Sequence, residues 1–197
     1  MSGIPPPSKI MILRHAEKPP DPPNKKGPWD MQEDGQSGGG KSLIVPGWRR
    51  AGALVHFFAP YESKPATPGI ETPSHIYAAS PKGTETQRPW ETVTPLAEWL
   101  GYKEGSEKFD TSYKIGDEQD LVKSVLGNSS PVLICWEHIH IMPDMIGEIN
   151  KAYPIENYKE IPKQFPNVFY LVWILDLKDG KYTWSSVRQN LMPGDAS

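Results

Sequence analysis

Lys9-Ile10-Met11-Ile12-Leu13 is a short, unbroken apolar run, and Arg14-His15-Ala16-Glu17 follow it with no spacer. A run of this length without polar alternation fits a strand covered on both faces, as inside a parallel sheet. The switch to charged residues falls at its carboxyl end, where open α/β sheets bind their ligands. Working outward, the pattern recurs. Pro131 to Trp136 is another buried strand, and Glu137-His138-Ile139-His140 follow it. His75 to Ala79 is a further short strand, broken by Ser80-Pro81.

Helical patterns lie between these strands. Trp48, Ala51, Leu54, Val55 and Phe58 sit at helical spacing across Gly47 to Phe58, and Pro60 stops that helix. Trp90, Val93, Ala97 and Leu100 form one stripe of a helix that starts at Pro89, kinks at Pro95 and ends at Gly101. Asp117 to Leu126 and Pro143 to Tyr153 are two more. Val168 to Leu175 is a strand, Asp179-Gly180 a hairpin turn, and Lys181 to Arg188 the returning strand. The alternation predicts an α/β fold: a three-layer sandwich with a mostly parallel central sheet, helices on both faces and an antiparallel edge strand. With no internal repeat and no dividing linker, residues 1–197 are expected to form a single domain.

Composition narrows the function classes. Acids outnumber bases 24 to 21 and no basic run occurs, so there is no footprint for nucleic acid. The lone Cys135 excludes an internal disulfide framework. The 17 glycines and 22 prolines predict long loops, above all Pro19–Lys41 and Tyr61–Pro73. Met1-Ser2-Gly3-Ile4 and the three prolines after it lack the apolar centre of a signal peptide. The longest strongly apolar run, Phe169 to Leu175, is too short to span a membrane. The expectation is a soluble, cytoplasmic protein with neither membrane nor nucleic-acid partner. Its oligomeric state is not encoded in any pattern we recognise.

If the strands before His15 and His138 are parallel neighbours, both imidazoles face one crevice, and Arg88 enters it from the start of the next helix. Two histidines and two arginines suit a phosphoryl group. A neutral imidazole attacks phosphorus, and guanidinium forks match its oxygens. Arginine charge nearby also disfavours imidazolium. No metal or other cofactor is expected. On a strand, His138 and His140 would share a side while Glu137 faced away, and only three other histidines and one cysteine are present. His56 and His75 are assigned to packing or surface, and Glu91 to a solvated helix face.

These residues resemble a known family. Leu13-Arg14-His15-Ala16-Glu17 is similar to the Arg-His-Gly/Ala signature of the histidine phosphatase (phosphoglycerate mutase-like) superfamily. Ser42-Leu43, Gly47 and Arg50-Ala51 resemble its next segment. Ser80-Pro81 with Arg88-Pro89-Trp90-Glu91-Thr92 resembles the one after, and Val132 to His138 resembles the strand delivering its second histidine. The likeness covers roughly residues 8 to 190, in the form of a divergent branch. It implies hydrolysis of a phosphomonoester, either a small molecule or a phosphoprotein, through a phosphohistidine on His15. Arg14 and Arg88 would bind the phosphate, with Glu17 among the substrate-binding residues, and His138 would donate to a phosphate oxygen. The proton donor to the leaving group stays open among Glu17, Glu137, Asp117, Glu118 and Asp144. The two long loops are expected to frame the mouth, with Trp29, Lys25 and Lys26 as candidate contacts.

Two alternatives differ in kind. One is a phospho-ligand binding module of the same fold without catalysis. The other is a P-loop nucleotidase, because Gly35 to Ser42 matches the phosphate-loop pattern letter for letter, with Lys41 on the terminal phosphates. Against the second, Trp29 to Asp34 is too polar for the strand such a loop requires, and Pro46 stands where its helix would begin.

Overall fold

A computed structural model of the chain describes residues 5–20, 27–83, 86–128 and 131–195. Lys25 and Lys26 lie outside them. The strands are β1 (Lys9–Arg14), β2 (His75–Ala78), β3 (Phe109–Asp110), β4 (Val132–Trp136), β5 (Leu171–Lys178) and β6 (Lys181–Arg188). The main helices are α1 (Val45–Phe58), α2 (Arg88–Trp99) and α3 (Glu118–Leu126). Then come α4, a single turn at His138–His140, and α5 (Ile146–Ala152).

One six-stranded sheet has the order β3-β2-β4-β1-β5-β6. β1, β2, β3 and β4 pair in parallel, β5 runs antiparallel to β1, and β6 antiparallel to β5. The expected α/β architecture is present, with the antiparallel hairpin of β5 and β6 at one edge. β1, β2 and β4 are buried at every position.

Alternate side chains of these strands feed two cores. Ile10, Ile12, Val132, Ile134 and Trp136 pack with Leu121, Val125 and Ile149 of α3 and α5. Met11, Leu13, Leu133 and Cys135 pack with Leu54, Phe58, Val93 and Leu96 of α1 and α2. Unbroken apolar runs arise because both faces of the sheet are covered, and each fully buried Ile or Leu contributes about 1.5–3 kcal/mol.

Several boundaries differ from expectation. α1 starts at Val45, with Pro46 in its first turn, where the missing N–H costs nothing. α2 runs past Pro95 as expected and ends at Trp99, short of Gly101. His138 and His140 lie on a helical turn, not on a strand. A π-type stretch, Ile141–Met145, follows them, with Met142 extended in its middle, so Pro143 begins the next helical piece. β5 is displaced towards the turn: Phe169 is drawn off against Arg14, while Asp176 to Lys178 extend the ladder with β6. Asp179 and Gly180 both adopt positive φ, the conformation a two-residue hairpin of matching twist requires.

The chain between Tyr61 and Pro73 does not border the crevice. Glu71 lies 3.6 Å from Lys9 at the amino end of β1, and Ser74 N–H donates to Pro131 O just before β4. This loop therefore runs along the opposite end of the sheet from His15.

Candidate active site

β1 and β4 are adjacent and parallel, with Arg14 opposite Trp136. His15 N–H continues the ladder to Trp136 O at 3.2 Å, so the residues after both strands emerge side by side. Arg14 is buried beneath them, at 1% exposure. Its guanidinium lies 4.2 Å from the Phe169 ring centroid, and Nη1 donates to Asn167 Oδ1 at 2.6 Å. Nε and Nη2 are buried with no hydrogen-bond partner among the described residues. Burial lowers the Arg14 pKa to about 10, against the pull of Glu137 and Glu17, so the group is cationic at neutral pH. A buried cation with two unused donors fits a planar pair of anionic oxygens.

His15 is 2% exposed. Its Nδ1 lies 2.7 Å from Ala16 O. A carbonyl only accepts, so Nδ1 carries the proton and the lone pair of the neutral ring resides on Nε2. Burial, with Arg14 next, holds the pKa well below the ordinary histidine value. The Ala16 bond opposes that shift, and Arg88 and His138 add to it. At neutral pH the ring is uncharged.

His138 is half-buried, and its Nδ1 is buried without a partner among the described residues. Burial, then Arg14, Lys18 and His140, lower its pKa to about 4. Arg88 opens α2 and exerts its charge on both His15 and Arg14. Two of its nitrogens are spent on the loop before α1, with Nε donating to Ser42 O at 3.3 Å and Nη2 to Gly40 O. The structure thus brings Arg14, His15, Arg88 and His138 to one end of the sheet.

Glu17 has a different environment from the one expected. Both its oxygens accept from Arg50, at 2.7–3.1 Å, and Arg50 in turn donates to Asp195 at 2.8 and 2.9 Å and to Gln189 at 2.8 Å. Burial works against the Arg50 charge, but the bonds from Asp195 and Glu17 outweigh it and raise its pKa. Glu17 is therefore a structural partner of α1 and the C-terminal segment. Glu91, expected on a solvated face, is 1% exposed, and its Oε2 accepts from Leu43 N–H at 2.8 Å. Thr92 joins the two halves of the site: its hydroxyl accepts from Ala16 N–H at 2.8 Å and donates to Arg88 O at 2.7 Å. α1 presses on the same loop, since a Cβ on Gly47 would stand 2.5 Å from Glu17 O.

Sequence reasoning missed Asn167, Phe169, Thr92 and Asp195 in these roles. Only Thr92 lay inside a quoted motif.

The Gly35–Ser42 segment is not a phosphate loop. Among the described residues no strand leads directly into it. Ser42 N–H donates to Asp30 Oδ2 at 2.9 Å and Lys41 N–H to Gly38 O, so its amides are committed internally. Trp29 is exposed at 65%. His75 is buried beside Ser74, as a packing residue. His140 Nδ1 lies 3.0 Å from Asp144 and 3.7 Å from Glu118. These three form the one group among the described residues whose donor atoms are close enough to share a cation. No helix among the described residues is long and apolar enough to cross a membrane.

A parallel-centred α/β sandwich with polar residues at the carboxyl ends of its middle strands is the architecture these features define. Among solved structures, the chain is similar to the ecdysone phosphate phosphatase of Bombix mori, determined in complex with tungstate. The two are 14% identical, with a TM-score of 0.50 over 91% of each chain. The likeness is one of fold. No family model and no curated protein matches the chain.

Proposed function

We propose that the protein is a phosphatase of the histidine phosphatase type, hydrolysing a phosphate monoester through a phosphohistidine on His15. The observation that carries this reading is the buried, neutral His15 ring with its proton held on Nδ1 by Ala16 O, beside an Arg14 fork with two unused donors. The similarity to a phosphatase fold crystallised with a tetrahedral oxyanion supports it.

In this mechanism His15 Nε2 attacks phosphorus, forming an N–P bond as the ester P–O bond breaks. Arg14 Nε and Nη2 hold the equatorial oxygens, where charge accumulates, and supply electrostatic rather than covalent assistance. Arg88 adds its field, and His138 faces the same group. The leaving oxygen takes a proton from Glu137. Of the five carboxyls considered, Glu17 is held by Arg50, Glu118 by Trp136, Asp144 by His140 and Asp117 by Lys114 N–H. Glu137 stands level with His15 across the β1–β4 pair. Water then attacks phosphorus, giving a proton back to the Glu137 carboxylate as the P–O bond forms and the N–P bond breaks; inorganic phosphate leaves and the Nε2 lone pair returns.

The test is turnover of phenyl phosphate by the full chain and by His15→Ala, with trapping of the phosphorylated protein. Loss of turnover in the variant and an acid-labile, alkali-stable adduct are expected. Equal rates in the two proteins refute the proposal. Vanadate binding without turnover would instead establish a binding module.

A further inference from the structure

A cavity of about 390 Å³ opens beside His138. Its volume lies within the roughly 300–1,000 Å³ usual for small-molecule sites. Ile139, Met142 and Phe165 supply apolar wall, and Asn167, which also holds Arg14, forms part of its lining. Phe165 is fixed against Trp173, with ring centroids 4.7 Å apart, so that wall is backed by core. Lys163 is the one charged residue on the lining, which includes no acid. Lys163 has no hydrogen bond or ion pair among the described residues.

We infer that this cavity is the leaving-group subsite, and that it takes an apolar, ring-sized group carrying a second anion that pairs with Lys163. The inference rests on the phosphatase reading of the adjoining site and deepens it. A phosphoryl group held at Arg14 and His15 would lie next to this cavity, which shares His138 and the Arg14 partner Asn167 with the site. The cavity offers the ester oxygen's substituent a surface that removes apolar area from water. An ammonium with no carboxylate beside it selects an anion at the far end, because any anion there meets attraction with no competing internal partner. The substrate class is therefore a carboxylated (or otherwise doubly anionic) aryl or similarly apolar phosphate monoester, rather than a neutral-tailed one.

The test separates binding from turnover. Benzylphosphonate and 4-carboxybenzylphosphonate are titrated calorimetrically into the full chain, Lys163→Gln and Lys163→Arg, and hydrolysis of phenyl phosphate and 4-carboxyphenyl phosphate is followed in parallel. The carboxylated phosphonate should bind the native protein about three- to fivefold more tightly, the upper value of one exposed ion pair. That preference should fall to near unity in Lys163→Gln and persist in Lys163→Arg. Equal affinity for the two phosphonates in the native protein, or a preference that survives Lys163→Gln, overturns the subsite. Hydrolysis of both phosphates without preference removes the subsite and leaves the phosphatase reading standing. Preferential binding without hydrolysis of either phosphate does the reverse, and absence of both refutes both.

Discussion

Arg50→Met should be among the most damaging substitutions outside the candidate active site. Arg50 is 3% exposed, and each of its nitrogens donates to Glu17, Asp195 or Gln189. Methionine fills much of the same space but leaves two carboxylates facing each other, with side-chain exposures of 17% and 4%. Removing one member of a buried ionic group costs about 3–5 kcal/mol. Against a total stability of about 5–15 kcal/mol, that is a large share. For a chain of this length it corresponds to a fall in Tm of roughly 6–20 °C. Urea denaturation followed by circular dichroism gives the midpoint and slope, and thermal scans give Tm. Neutralising the acids in the same background, with Glu17→Gln and Asp195→Asn, should recover part of the loss, because contacting residues do not act additively. The pH dependence has a definite sign. Although burial alone would raise the Asp195 carboxyl, the Arg50 bonds lower it, so its stabilisation is complete above about pH 4 and lost as pH falls through the folded-state value. The native protein should lose more stability below pH 4 than Arg50→Met does. A loss below about 1 kcal/mol for the single variant, the value of an exposed pair, would refute the argument.

Thr92→Val keeps the shape but leaves Ala16 N–H buried without an acceptor. It should cost about 1–3 kcal/mol and reduce phenyl phosphate turnover, both measurable on one preparation. Unchanged stability would mean that the loop re-pairs. His15 and His138 are held neutral, so the unfolded chain protonates first: stability is full above about pH 6.5 and declines as pH falls towards about 4. Urea midpoints at pH 7.5, 6 and 5 should decrease in that order, and His138→Gln should flatten the trend. Cys135 is fully buried, and burial pushes its thiol well up, against Thr92 and Arg14. Thiol reagents should label it only at the rate of unfolding, and fast labelling of the native protein would contradict its place in the core.

The sheet, and the meeting of the candidate residues at one end of it, were legible because they rest on local patterns. An apolar pentad buried on both faces and the charged residues after it identify β1 without knowledge of its neighbours, and Asp179-Gly180 identifies the β5–β6 hairpin. What escaped was tertiary. Asn167 reaches Arg14 across 153 positions and Asp195 reaches Arg50 across 145, from loops with no periodicity to read. Glu91 looked solvated because its stripe is polar. It is buried because Leu43 N–H needs an acceptor there, and a helix pattern carries no information about that demand. His138 reads as a strand extension, but the strand ends at Trp136, Glu137 stays extended and a helical turn begins at His138.

The close approach of the backbone at Gly47 sets how the molecule tolerates change. An added carbon there would collide with the backbone two residues past His15, whereas one on Gly52, further along the same helix, would meet nothing within 4 Å. The first helix therefore rests flush on the turn that follows His15, with no cushion of side chain between them. Any swelling at that seat would be transmitted to the turn that carries His15, while the exposed side of the helix at Gly52 is free to vary.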